Sequence, residues 1–597
     1  MRRLREIIIS SIQGISRAGL RFPMTVMSLL AATAVIFKLI ATSEPPSLML
    51  QKLMFTFVVG AVLGVASQFA VERFKTLLKK RILSYGAAGG LLLGYFLILL
   101  PAPEISAEIT VRSLVAVFAL VCMGLWIPSY KSTANFNLTA LIHFKSFFTS
   151  LLYSGVLSAG IAAIIATIHI LLFKVNSDTY AYTMTVIWVV FAPVYYLSLL
   201  PKFSLESEAE EEMNRRAGLY PKFLDILVSN IAIPLISTYT LVLIAYFIKI
   251  LFTLAWPSGQ VGPMVLIYSA AGLVIFILSS LLENKWVLFY RKVFPKMLIP
   301  IVIMQLISAG IRLNAYGLTE SRYYIILFGI FSILAGLILS FSKVSKNERL
   351  ALLAAAFAIL SILPPVDAFT VSRYSQISRI ESILKNEGML VNGQITAKED
   401  ASEHTKIETT SILQYLERNS SLKYINWLPE DFDVYHDLEP VFGFEPSYPS
   451  YQGERQYFNA SLDTQLPLMV EGYDVLLSAF AGRYMDEKGP QDSAFELDGN
   501  AYQLKFNKTS RDEVYVAVLD AQGNELIGTG LKDFAAGLIG EHTMTRAVFS
   551  PEEMSFDVTK NDYKMRIIFQ NVHYTSGSDE NSGMDYVLYV LFAEARQ

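Results

Sequence analysis

A single cysteine, Cys122, among 597 residues excludes an intramolecular disulfide framework and any cysteine-rich metal site. Charge is scarce too. Only 17% of residues are charged while 53% are hydrophobic, and mean hydropathy is +0.43. No soluble globular chain needs so much apolar surface, so composition alone points to a membrane protein. There is no phosphate-binding glycine loop and no dinucleotide fingerprint, and no nucleophile elbow stands in a supporting context. Four histidines in the C-terminal part, His404, His436, His542 and His573, fall in no metal-ligand spacing. No cofactor is expected from any of this. No apolar run carries Asp or Glu at mid-depth, which counts against an ion-coupled transporter. Internal repeats are also absent, and eleven spans do not halve evenly into inverted units.

What the chain does have is eleven runs long enough to cross about 30 Å of hydrocarbon. They lie near 23–42, 49–70, 83–101, 112–128, 147–173, 181–200, 225–252, 261–282, 296–312, 323–342 and 350–371. Residues 1–22, rich in arginine, suit an interfacial amphipathic helix that precedes them. The connecting segments are unevenly charged. Those on the N-terminal side hold 23 lysines and arginines, against Arg112, Lys174, Arg312 and Arg322 on the other. The positive-inside rule then puts the N-terminus in the cytoplasm and the C-terminal part outside. A second asymmetry agrees: residues 372–597 carry 36 acidic and 19 basic side chains. So acidic an exterior offers no footprint for nucleic acid.

The exterior part reads as three pieces. Residues 372–428 are helical by pattern, with Ile377, Ile380, Ile383 and Leu384 on one face, a stop at Gly388, and a second helix around Thr409–Arg418. Residues 429–455, rich in Pro, Tyr and Gly, suggest an irregular connector. From 456 to 597 about seven or eight short alternating runs, such as AYQLKFN and EVYVAVLD, predict a small antiparallel β-sandwich, jelly-roll-like. Asp579, Asn581 and Asp585 alternate in SGSDENSGMD, a spacing of hard ligands open to Ca²⁺ or simply a polar hairpin.

The stretch GIRLNAYGLTESRYY, residues 310–324, is unusually polar for a link between two spans. Gly317 suits a left-handed helix end, Thr319 an N-cap, and Glu320 the positive end of the next helix dipole. Tyr316, Tyr323 and Tyr324 suit an interfacial aromatic belt. A plain hairpin does not require Arg312, Asn314 or Arg322. Those arginines could pair with Glu320, dock the exterior module, or bind an anionic ligand or lipid headgroup. The candidate binding set is Arg312, Asn314, Tyr316, Glu320, Arg322 and Tyr323. His169, Lys38, Lys249 and Asp225 near span ends, and Pro193, Pro234 and Pro300 within spans, are weaker pointers. Glu44, Glu104 and Glu108 are the few outer carboxylates a membrane glycosyltransferase could use.

GIRLNAYGLTESRYY also resembles the signature of a bacterial family of polytopic membrane proteins defined by a domain of unknown function, number 4153. Its members share a Tyr-Gly-x-Thr-Glu-x-Arg-Tyr core between late spans. SNIAIPLISTYTLVLIAYFIKIL (229–251), ENKW (283–286) and AFTVSRYSQISRIESILKNEGML (368–390) are similar as well. The resemblance covers roughly residues 181–390 and implies no reaction. The reading is a multi-pass protein of the bacterial cytoplasmic membrane, non-enzymatic, acting in envelope binding, sensing or assembly. Its expected partners are the bilayer and an envelope protein, glycan or anionic lipid. A transporter or lipid-handling protein is the alternative, and an enzyme on a lipid-linked substrate is third.

Overall fold

The computed structural model describes residues 14–42, 45–130, 135–203, 208–253, 261–448, 457–482, 493–508, 513–539, 546–575 and 583–594. The chain forms two compact units, Met1–Tyr448 and Pro449–Gln597.

The first unit is built on helices α1 (Pro23–Ile40), α2 (Leu48–Arg73), α3 (Arg81–Leu99), α4 (Ala107–Trp126), α5 (Phe136–Leu171), α6 (Asp178–Ser198), α7 (Lys222–Thr253), α8 (Val261–Ser279), α9 (Lys285–Tyr316) and α10 (Glu320–Phe341). Among the described residues these ten are long and apolar enough to cross a membrane. An eleventh, α11 (Glu348–Leu360), has only 13 residues, or about 20 Å of helix. Several helices outrun the apolar runs that announce them. α5 starts at Phe136 and not near 147, and α9 covers 32 residues where the run suggests 296–312. Their extra turns mix apolar residues with polar and charged ones, such as Asn137, His143, Lys145, Arg291 and Lys292, which interrupt the apolar run.

Polar contacts sort the helix ends into two faces. On the N-terminal face, Arg21 pairs with Glu72 at 2.7 Å and donates to the Leu200 carbonyl. Asn347, ahead of α11, donates to Asn137 at 2.8 Å and to Ser280. On the opposite face, Lys52 donates to the Leu100 and Ala102 carbonyls, and Ser420 to Glu104. The residues after α11 meet Arg112 on that second face. The ends alternate strictly between the faces, so α11 runs across like its longer neighbours. Its missing length is made up by the turn at residues 361–367, which includes Pro364 and Pro365.

Two spans widen locally. α6 contains a π-turn at Val186–Phe191 and α7 another at Leu227–Ala232, each just ahead of a proline, Pro193 and Pro234. Proline lacks the donor that would continue the regular ladder, and the preceding turn shifts its hydrogen bonds by one residue. Pro300 lies inside α9 without ending it.

After α11 comes α12 (Ala368–Asn386), the short hairpin β1 (Leu390–Val391) and β2 (Gln394–Ile395), α13 (Glu403–Arg418) and α14 (Leu438–Phe442). Ile380, Leu384, Ile412, Leu413, Leu416 and Phe442 are fully or almost fully buried in one small core, with Ile377 and Ile383 against it. α12 ends as the glycine predicts. Gly388 has φ +76°; its N–H donates to the Lys385 carbonyl and that of Met389 to Leu384, closing a Schellman motif. The connector is not wholly irregular, because α14 falls within it.

The second unit has two sheets. One is ordered β4 (Val475–Gly482), β12 (Gly583–Glu594), β11 (Tyr563–Thr575), β3 (Tyr457–Leu462) and β9 (Arg546–Phe549), with β10 (Ser555–Lys560) also on β11. The other is β5 (Ser493–Leu497), β6 (Asn500–Lys508), β7 (Val514–Asp520) and β8 (Glu525–Gly530). Inward residues of both, such as Leu504, Val516, Ile527, Val572, Leu588 and Phe592, share a single core, which makes a sandwich. One pair departs from the antiparallel expectation: β3 and β9 are parallel. The whole second sheet and a helix at Lys532–Ile539 lie between them in the chain, long enough for the crossover that parallel pairing needs.

Candidate functional site

The polar stretch sits where α9 ends and α10 begins, and helices from later in the chain close over it. The last carbonyls of a helix lack intrahelical partners and carry partial negative charge. Here they are met by donors from α12. Gln376 Nε2 donates to the Tyr316 carbonyl at 3.1 Å and to Leu318 at 2.9 Å. The Arg379 guanidinium reaches the Tyr316 and Ala315 carbonyls at 3.2 and 3.0 Å, and also pairs with Glu408 of α13. Ser375 Oγ accepts from the Leu318 N–H. Tyr415 of α13 donates to Glu320 at 2.6 Å, and Tyr323 to the Val366 carbonyl at 2.7 Å. The stretch is a platform for the helices that follow the bundle.

Three expectations change in detail. Gly317 does take positive φ, +67°, but its ψ of 179° is extended and not left-handed helical. Thr319 occupies the N-cap position of α10, yet its side chain caps nothing. Among the described residues neither Arg312 nor Arg322 forms an ion pair with Glu320, because Tyr415 takes that carboxylate. Arg322 instead donates to the Tyr316 and Gly317 carbonyls at 3.1 and 2.7 Å and stacks near the Tyr316 ring. Asn314 points to the exposed side. Arg312 and Arg322 line one small cavity with Gln305, Ser308 and Ala309.

A second junction went unread in the sequence. Asp367 is fully buried, and its Oδ1 caps α12 by accepting from the Phe369 and Thr370 N–H groups. The same oxygen takes Arg112 Nη2 at 2.7 Å, and Arg112 also pairs with Glu108. Glu108 in turn meets Arg373 of α12, whose guanidinium lies 3.9 Å over the Tyr424 ring. Glu104 and Glu108 thus join structural partners on α12 and the turn after α13. No local motif flags this network, since its members are about 255 residues apart.

Glu387, at the end of α12, ties that helix to the start of α13. It accepts from Lys398 at 2.9 Å and from the hydroxyls of Ser402 and Thr405. The Lys398 ammonium and these hydroxyls hold its carboxyl down at about 2. Since the folded form is the one with the lowered pKa, its stabilisation is complete above the ordinary carboxylate range. It is lost as pH falls from there through about 2. Thermal unfolding of this module, followed by Trp427 fluorescence in a variant with no other tryptophan, is expected to weaken steadily across that window. Glu387→Gln should be less stable at neutral pH and nearly flat; a wild-type profile that is itself flat refutes the assignment.

Other residues singled out in the sequence are accounted for locally. His169 accepts from the Val175 N–H at a helix end, Asp225 accepts from Ser229, and Lys38 and Lys249 are exposed. Asp579, Asn581 and His542 lie outside the described residues. Asp585 stands opposite His573 on adjacent strands. Among the described residues no three His, Cys, Asp or Glu side chains cluster as metal ligands.

Larger cavities lie elsewhere, two of them with polar groups on the wall. Within the bundle an apolar one of 570 Å³ is lined by Leu29, Phe69, His143, Phe147, Pro193 and Tyr196 among others. His143 Nδ1 and Tyr196 Oη are 2.5 Å apart, and His143 Nε2 is buried without a partner among the described residues. In the sandwich a cleft of 870 Å³ is lined by Met469, Phe556, Asp557 and Arg566. Arg566 grips Asp557 through two hydrogen bonds, the longer 2.6 Å, and Tyr473 donates to the same carboxylate.

No solved structure matches the chain. An uncharacterized protein of Pasteurella multocida is 25% identical over 291 residues, 44% of this chain and 48% of the relative; the chain spans about half the length of that relative. A family model described as a domain of unknown function (DUF4153) matches residues 24–389, the bundle through the end of α12. With ten helices long and apolar enough to cross a membrane among its described residues, the chain therefore belongs to the DUF4153 family.

Proposed function

We propose that this is an envelope protein that binds an extracytoplasmic partner through its sandwich and is held at the membrane by the bundle. The observation that carries the reading is the clamp of α12 on the 315, 316 and 318 carbonyls, backed by α13 through Glu408 and Tyr415. A flexible tether would serve a mere anchor; a module locked to two separate loops suits the relay of a binding event. The uneven lysine and arginine distribution supports a cytoplasmic N-terminus and an outward C-terminal unit. The sandwich cleft offers a planar Arg566–Asp557 pair beside aromatic rings, an arrangement suited to sugar hydroxyls. Full-length protein in nanodiscs should co-sediment with purified peptidoglycan sacculi, and Arg566→Glu should cut the bound fraction about tenfold. Absence of sedimentation by the unaltered protein, or equal sedimentation by the variant, overturns the proposal.

A lipid-handling role is the second reading, favoured by the apolar cavity with His143 and Tyr196 on its wall. It requires a lipid transfer or extraction activity that His143→Phe abolishes while the bundle stays folded.

A further inference from the structure

Arg312 has no hydrogen-bond or ion-pair partner among the described residues. It shares a cavity of 40 Å³ with Arg322, and both Arg312 and Arg379 bring like charge to bear on Arg322. No carboxylate among the described residues neutralises Arg312 or Arg322. Glu320 is engaged by Tyr415, and Glu408 by Arg379. The adjoining segment 254–260 reads LAWPSGQ and has no acidic residue to offer.

Below these charges, Gln305, Ser308, Ala309 and Arg312 follow one face of α9 at helical spacing. Gln305 is 2% exposed, and its Nε2 is buried without a partner among the described residues. Buried amide donors are normally satisfied, so this one calls for an acceptor. Val261, Gly262 and Ile325 also line it. Two cations and an unmet donor therefore converge, with no acceptor among the described residues. The volume equals roughly three waters, the size of one tetrahedral oxyanion and too small for a sugar.

We propose that this cavity binds a phosphate group, held by Arg312 and Arg322 with Gln305 donating from below. The site lies where α9 leaves the apolar run, the level of lipid headgroups, so the phosphate is either a lipid phosphodiester or a free ion.

The test uses the full-length protein in neutral detergent, titrated with inorganic phosphate and with dioctanoyl phosphatidylglycerol by calorimetry and native mass spectrometry. One equivalent of the lipid bound, undisturbed by excess phosphate, identifies the headgroup; saturable binding of phosphate alone identifies the free ion. Arg312→Gln should weaken either by at least about tenfold, since charge-assisted bonds are the strong ones. Ser308→Asp disturbs no hydrogen bond among the described residues and puts a carboxylate in the cavity, so it should abolish binding even where the first variant fails to fold. If neither ligand binds the unaltered protein, or both variants bind like it, the site does not exist.

Discussion

Replacing Asp367 with alanine should destabilise the docked helical module by about 2–4 kcal/mol. Two losses combine. The carboxylate caps α12 through the Phe369 and Thr370 N–H groups, and removing such a cap costs about 1 kcal/mol. It also holds Arg112 at 2.7 Å from a fully buried position. Arg112 keeps Glu108 and is 30% exposed, so the usual cost of about 3–5 kcal/mol for orphaning a buried charge is reduced. Asp367→Asn separates the two, because Asn caps as well as Asp but carries no charge; about half of the loss should return. Unfolding followed by Trp427 fluorescence gives the magnitude, and hydrogen exchange at residues 368–376 gives the place. An alanine variant within about 0.5 kcal/mol of the parent, the range of an ordinary surface change, shows that this network does not hold the module.

Apolar runs announced the bundle because a membrane span must be both long and apolar, and α1–α10 are both. α11 was harder to read. Its 13 residues are short for a crossing, and the run continued through Pro364 and Pro365 into what is a turn. The sandwich was readable from alternation, as in β6, where Tyr502, Leu504 and Phe506 are buried and the residues between them are not, and in the middle of β12. The parallel pairing of β3 with β9 was not, because pairing partners are chosen by the whole core and leave no local trace.

The site shows the same division. Positive φ at Gly317 was legible because one residue carries it. The identity of the groups facing it was not: Gln376 and Arg379 lie about 60 residues on, in a helix whose polar face looks like any solvated one. Arg112 reads as an exception to the charge rule, and nothing in the sequence marks Lys52. In the fold Lys52 is 5% exposed and crosslinks the end of α3, while Arg112 bridges Glu108 and Asp367. The departures from the charge rule were thus informative, but each needed its distant partner before its role could be stated.

Gly317→Ala is expected to loosen the same module from the other side, by about 3 kcal/mol. With φ +67° and ψ 179°, Gly317 occupies a region that is essentially closed to other residues, at a cost of about 1–3 kcal/mol. The added Cβ would also lie 2.8 Å from Gln376 Nε2 and 3.3 Å from Arg379 Cδ. Those are the side chains that hold the 315–318 carbonyls, and each hydrogen bond they lose removes about 1 kcal/mol. Gly310, two turns earlier in α9, is the control: nothing lies within 4 Å of its Cβ position. Alanine there should be neutral or should stabilise the helix by about 0.5–1 kcal/mol. Backbone strain and collision can be told apart by adding Gln376→Ala, which relieves the contact but leaves the strain. The two changes together should then cost less than the sum of each alone, since they act on one contact. Simple additivity would mean that strain accounts for the whole effect. A Gly317→Ala variant as stable as Gly310→Ala would mean that α12 does not grip the end of α9 at all.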